Sequence, residues 1–177
     1  DMFQISTVGG GSAAVRGLKF SVDGTEKMRM TGAGIVAKPN QPSFWASGTA
    51  ASGTNVMASN AEFVFSNAQS NVGSHYSTST GRFTAPVAGS YLFSGTVNSN
   101  GTGSNYRWTI KKNNTQISSG GGSSDCVPHG INTIDQASTN TIILLLAAND
   151  YVSCSTRTGQ TCGLYGGHSY FSGVLIG

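Results

Sequence analysis

The stretch from Arg157 to His168 gathers residue types that can hold a sugar: the Arg157 guanidinium, the Tyr165 phenol and the His168 imidazole. Aromatic faces stack on sugar rings while polar tips bond the hydroxyls. The competing reading is a tight loop over Gly163–Gly167 whose tyrosine packs inward, by the usual burial of that residue. Asn105, Tyr106 and Trp108 form a second ligand set. Alternation puts both rings on one side of a strand, as an exposed platform or as core. Loops carry binding residues on a rigid scaffold, which makes 99–105, 118–130 and 157–168 the candidates.

Asp125, His129 and Asp135 offer oxygen and nitrogen ligands to a calcium ion, without the dense acidic loop such ions favour. No other cofactor is expected. The three cysteines cannot form a closed framework. Cys154 and Cys162 flank residues 155–161, a span a disulfide can close, which leaves Cys126 over. No Cys-x-x-Cys occurs and no histidine stands at ligand spacing from a cysteine, so a zinc site is not indicated.

Catalysis finds little to work with. The seven carboxylates, Asp1, Asp23, Glu26, Glu62, Asp125, Asp135 and Asp150, include no local pair for glycoside hydrolysis. No strand-to-helix nucleophile elbow is present. The Gly9–Gly11 and Gly101–Gly103 stretches lack the helix and lysine of a phosphate-binding loop. The chain reads as a binding or structural protein rather than an enzyme.

Composition sets the scaffold for these residues. Gly, Ser, Thr and Asn occupy 81 of 177 positions, a turn-rich and strand-tolerant mixture that argues against a large helical domain. The net charge is +3 and no basic run exists, so no nucleic-acid footprint is present. The longest apolar run is far short of the roughly 18 residues of a membrane-spanning helix, and no membrane insertion is expected. The sequence begins at Asp1 without a basic-then-apolar leader and reads as a piece of something longer.

Asp23-Gly24 between the alternating runs 15–22 and 25–30 predicts a hairpin, because both central positions of that turn need positive φ. Gly32-Ala33-Gly34 and Ile35-Val36-Ala37 follow. Such thin strands bury too little alone and need partners. Lys38-Pro39-Asn40-Gln41-Pro42 reads as a stiff neck, which divides the chain into a stalk, 1–42, and a head, 43–177. Seven or eight short strands are expected in the head, from the runs 43–46, 61–65, 82–84, 90–98, 106–111, 139–147, 151–155 and 169–176. Turns between them and no helical period give an antiparallel β-sandwich or jelly roll. The continuously apolar runs 142–146 and 170–176 call for burial on two faces, which a subunit interface supplies.

Phe65, Asn71, Tyr76, Phe83, Gly89, Tyr91 and Phe93, within NVGSHYSTSTGRFTAPVAGSYLF and just before it, resemble in spacing the signature of the C1q-like globular domain. That domain is the jelly roll shared with the tumour necrosis factor family. Gly95 stands where the pattern has its next aromatic. LLLAANDYVSC is similar to the family's strand, turn and strand ahead of its last loop. SYFSGVLIG, with Phe171 and Gly173, is similar to its closing strand. The resemblance covers 42–177 and implies a homotrimer of jelly rolls. A second resemblance, in LKFSVDGTEKMRMTGAGIVAKPNQPSF, is to the repeated unit that precedes the heads of phage tail-fibre and appendage proteins.

Together the resemblances imply the trimeric C-terminal head of a virion appendage, extracellular, continuous with an upstream fibre shaft and binding a host surface saccharide or protein. Two alternatives stand beside this. One is a structural trimerisation or decoration domain without a ligand. The other is a secreted animal C1q-like lectin, in which Asn100-Gly101-Thr102 and Asn113-Asn114-Thr115 would be glycosylation acceptors.

Overall fold

The computed structural model describes residues 3–8, 17–48, 55–99, 107–117, 136–159 and 161–177. These residues form strands, turns and one 3-10 turn, and no α-helix occurs among them. Two compact units divide the chain, Asp1–Gln41 and Pro42–Gly177.

The first unit is one antiparallel sheet of four strands in chain order, β1 (Phe3–Val8), β2 (Gly17–Val22), β3 (Thr25–Met30) and β4 (Val36–Ala37). Asp23 and Gly24 turn β2 into β3 with φ of 50° and 70°, the primed geometry that matches strand twist. Glu26 pairs with Arg29 of its own strand at 2.8 Å and with Lys19 across the hairpin at 3.9 Å. Met30, Ile35 and Val36 are exposed. A single layer has no second face to bury them.

The second unit holds β5 (Ser43–Ser47), β6 (Asn55–Met57), β7 (Asn67–Val72), β8 (Tyr76–Ser77), β9 (Arg82–Thr84), β10 (Gly89–Ser99), β11 (Trp108–Lys112) and β12 (Thr115–Gln116). It continues with β13 (Gln136–Leu146), β14 (Tyr151–Thr156), β15 (Cys162–Leu164) and β16 (Tyr170–Leu175). One five-stranded sheet runs β13-β10-β16-β5-β7, the other β12-β11-β14-β9-β8, and β15 pairs with β6. All these pairings are antiparallel, and the chain passes back and forth between the two sheets as a jelly roll.

The sandwich is filled by rings from both sheets. Phe44 of β5 stacks on Tyr76 at 4.6 Å and Phe83 at 5.1 Å, and Phe93 of β10 stacks on Phe171 of β16 at 5.8 Å. Tyr91 and Phe65 are fully buried beside them. Gly173 separates Phe44 from Phe93, and a Cβ there would stand 2.6 Å from the Phe93 ring and 2.7 Å from Phe44. Gly89 passes the Gly177 carbonyl, which a Cβ would meet at 2.7 Å. Asn71 closes the turn into β8 by accepting from the Tyr76 N–H at 3.1 Å and donating to its carbonyl at 2.8 Å. The Tyr76 hydroxyl donates to the Phe65 carbonyl at 3.0 Å.

The segment 61–65, expected as a strand, makes a single bridge, Glu62 to Ser155. It lies in line with β9 along β14, and the Phe63 N–H reaches the Cys154 carbonyl at 2.8 Å. Phe63 and Phe65 are buried and Val64 is exposed, so the alternation reports burial without a ladder. Strand β7 was not expected, because Asn67–Val72 reads NAQSNV and has little apolar content. It holds the sheet edge by pairing with β5.

Gly81 has φ of 73° and a Cβ there would lie 2.1 Å from the Phe63 carbonyl oxygen. Gly81→Ala is expected to lower stability by about 2–3 kcal/mol, since the left-handed backbone and the clash add. A denaturant midpoint equal to the wild type's would contradict this.

Asp150 ties the β13–β14 turn, accepting from Lys112 Nζ at 2.8 Å, Asn113 Nδ2 at 2.7 Å and the Ala147 N–H at 2.8 Å. These donors, Lys112 first, hold its carboxyl down at about 2. A depressed folded value means that the stabilisation is present above the ordinary carboxylate range and is lost as pH falls towards 2. Melting temperatures taken between pH 5 and pH 2 are expected to fall less steeply in Asp150→Asn. Identical slopes would remove the effect.

Candidate binding site

The chain enters and leaves the head at one end. The Leu175 N–H donates to the Pro42 carbonyl at 2.9 Å, and the Ser90 N–H to the Gly177 carbonyl. Strands β5 and β10 run away from this end, and β16 returns to it. At the opposite end lie Ser47 at the end of β5 and Gly48 after it, Asn98 late in β10, and Ser169 before β16.

A 3-10 turn, Gly166–His168, sits among them and is fixed from several sides. The Tyr165 N–H donates to the Asn98 carbonyl at 2.8 Å. The Ser169 hydroxyl donates to the Tyr165 carbonyl at 2.8 Å and accepts from the Asn98 N–H at 2.9 Å. The Gly48 N–H donates to the Ser169 carbonyl at 3.2 Å, and Gly48 passes so close to Gly166 that a Cβ would meet its backbone at 2.6 Å. On this turn Tyr165 and His168 stand edge to face, 4.3 Å between ring centroids. Tyr165 is half-buried and His168 exposed. Tyr165 is thus neither fully packed inward nor fully displayed.

Asn98 is 8% exposed, and its side-chain oxygen is buried without a hydrogen-bond partner. The sequence carries no signal for this, since Asn98 stands among many similar polar residues. Arg157 follows β14 at the same end, where its N–H donates to the Arg107 carbonyl at 3.0 Å. The structure therefore brings Tyr165 and His168 together and places Arg157 at their end of the sandwich.

Trp108 is no ligand platform. It is 1% exposed, its ring packs beside Gly95 and Cys154, and its Nε1 donates to Ser138 Oγ at 3.0 Å. The strand turns position 108 inward, where the missing side chain of Gly95 leaves room. Asn105, Tyr106, Asp125, His129, Asp135 and Cys126 lie outside the described residues. Among the described residues no three His, Cys, Asp or Glu side chains gather as a metal site. Cys154 and Cys162 are free rather than bridged. Both are buried, which pushes the Cys154 thiol well up and the Cys162 thiol up to about 12, so neither is a ready nucleophile.

The apolar run of β13 resolves into two faces. Leu146 is buried and Ile142 and Leu144 pack against the core, whereas Ile143 is 60% and Leu145 76% exposed. Ile143 lies opposite Leu92, and Leu92 opposite Val174. A shallow hollow of about 260 Å³ opens beside Leu92, Ser94, Ser172 and Val174, and Trp45 is 47% exposed on β5. One outer face of the head therefore carries an apolar row from Ile143 through Leu92 to Val174, flanked by Leu145 and, beyond Ser94 and Ser172, by Trp45.

An antiparallel jelly roll with this strand order, an apolar outer face and polar groups displayed at one end defines a class of β-sandwich domains. The chain belongs to the C1q domain family, whose model matches residues 44–176. No curated protein matches the chain by sequence. The globular domain of zebrafish complement 1qA protein is 20% identical, with a TM-score of 0.59 over 77% of this chain and 98% of that one. The Eiger TNF of S. frugiperda is 16% identical, with a TM-score of 0.56 over 78% and 94%. Murine APRIL is 10% identical, with a TM-score of 0.51 over 77% and 99%.

Proposed function

We propose that the chain is the trimeric head of an extracellular attachment protein, a phage tail fibre or similar virion appendage, that binds a host surface saccharide. The observation that carries this reading is the Tyr165–His168 pair, held on a rigid turn at the end of the head away from the chain's entry. A fixed aromatic edge and an exposed imidazole suit a sugar, whose binding loses affinity when its contacts must first be ordered. Self-association follows the family, and the apolar face through Ile143, Leu145, Leu92 and Val174 is the surface it would cover. The exposed Met30, Ile35 and Val36 of the first unit fit a stalk that is completed by further copies.

The family fits a secreted animal C1q-like lectin equally well. Asn113, one of the two candidate glycan acceptors, donates one of its two amide hydrogens to Asp150 at 2.7 Å, and Asn100 lies outside the described residues.

The test is binding of the trimeric chain to bacterial cells and to their extracted surface polysaccharide. Tyr165→Ala and His168→Ala are each expected to weaken single-site affinity about tenfold, the worth of one aromatic contact. Unchanged binding by both variants would move the site off this turn. A trimer that binds neither cells nor polysaccharide, while the longer fibre binds both, would leave the head a structural role.

A further inference from the structure

Lys111 is a buried amine that the binding site does not use. It lies on β11 with no exposed surface. It faces away from the ring core, opposite Ser153 of β14. Its Nζ donates to the side-chain carbonyl of Asn60. That oxygen also accepts from the Thr158 hydroxyl at 3.4 Å, and Thr158 accepts in turn from Gln116 Nε2 at 3.0 Å. Glu62 stands close enough to act on the charge of Lys111. Its carboxylate accepts from Ser153 Oγ at 3.0 Å and from Arg82 at 2.8 Å.

The turn that carries Asn60 is clamped in place. Thr156 Oγ1 donates to the Ala58 carbonyl at 2.6 Å and accepts from the Ala61 N–H at 2.8 Å. The Gly159 N–H donates to Ser59 Oγ at 2.8 Å. Asn60 itself is held at φ of 68°. Amine and amide are thus held in contact, although Asn60 itself is exposed on its turn, and an intramolecular reaction gains from such proximity.

We propose that Lys111 and Asn60 join spontaneously in an isopeptide bond that staples the 58–61 turn to β11. The neutral amine attacks Asn60 Cγ, and negative charge develops on Oδ1, where the Thr158 hydroxyl donates. In the adduct a proton passes from the now cationic Nζ to the neighbouring Nδ2, and the charge of Glu62 nearby favours the cationic nitrogens. The Cγ–Nδ2 bond breaks, ammonia leaves, and an amide between Nζ and Cγ remains. No oxidant or other reactant is needed. Burial lowers the basicity of Lys111, which makes the neutral nucleophile accessible, although the charge of Glu62 opposes this in part. With Cys154 and Cys162 free, such a bond would cross-link two segments of the head that no disulfide joins among the described residues.

The test is the intact mass of the folded, then denatured and reduced chain. It is expected to fall short of the sequence mass by one ammonia, and a protease digest is expected to yield a branched peptide joining Lys111 to Asn60. Lys111→Met and Asn60→Ala should each restore the mass calculated for that variant. A wild-type chain at full sequence mass would overturn the proposal and leave a buried hydrogen bond. A loss of ammonia without the branched peptide would overturn it too, by assigning the loss to another residue.

Discussion

Leu145→Arg is expected to turn a trimeric head into a monomer with an unchanged fold. Leu145 is 76% exposed in the single chain, on the edge strand β13, so an arginine there meets water and costs the monomer little. Leu145 and Ile143 left open on the edge strand, continued by the half-buried Leu92 and Val174, are otherwise an aggregation hazard, which natural sheets avoid. Covered by a neighbour, the same position would hold an uncompensated charge, at a cost of about 3–5 kcal/mol in each interface. Threefold symmetry repeats the penalty in every interface. Light scattering should give a single-chain mass for the variant and a trimer mass for the parent, with identical β-rich circular dichroism. A parent that is monomeric at micromolar concentration, or a variant that stays trimeric, would place self-association elsewhere.

Binding should follow assembly. Three tips linked in one particle can gain roughly 10² to 10⁴ in avidity over one tip without any new contact. Leu145→Arg, far from the Tyr165–His168 turn, is therefore expected to lose attachment to a multivalent surface and to keep its affinity for a soluble monovalent sugar. Tyr165→Ala should lose both. The two variants separate the assembly from the site.

What the sequence made legible depended on how local the cause was. The Asp23-Gly24 hairpin was readable because two adjacent residues carry the required positive φ. The aromatic anchors were readable because strand alternation and burial coincide at Phe83, Tyr91 and Phe93. Strand β7 was not, for its place comes from pairing with β5 and not from its own apolar content. The fate of Trp108 was also hidden, because it is set by Gly95 on another strand. At the tip, residue types pointed to Tyr165 and His168. Their edge-to-face geometry depends on Gly48, Asn98 and Ser169, which are far apart in sequence. The Lys111 cluster was illegible for the same reason, since its members come from four separate segments.

Gly95 and Trp108 offer the sharpest check on the core. The family pattern has an aromatic at position 95, and here the ring in that space comes from β11 of the opposite sheet. A Cβ at Gly95 would lie 3.0 Å from both the Trp108 ring and Cys154 Sγ, so the two positions compete for one volume. Trp108→Ala is expected to destabilise by about 3–5 kcal/mol, through lost burial and the cavity left behind. Gly95→Phe alone should cost about 1–3 kcal/mol or more by overpacking, because the tryptophan has nowhere to go. Combined, each change relieves the other, and the double variant is expected to be more stable than the sum of the single effects predicts by about 1–3 kcal/mol. Ser138 keeps the rescue incomplete, since its hydroxyl loses the indole N–H in both the Trp108→Ala and the double variant. Denaturant titrations of the four proteins measure the cycle. Strict additivity would mean that the sheets move apart to accept each change separately, and the exchange of rings between strands would not account for the glycine.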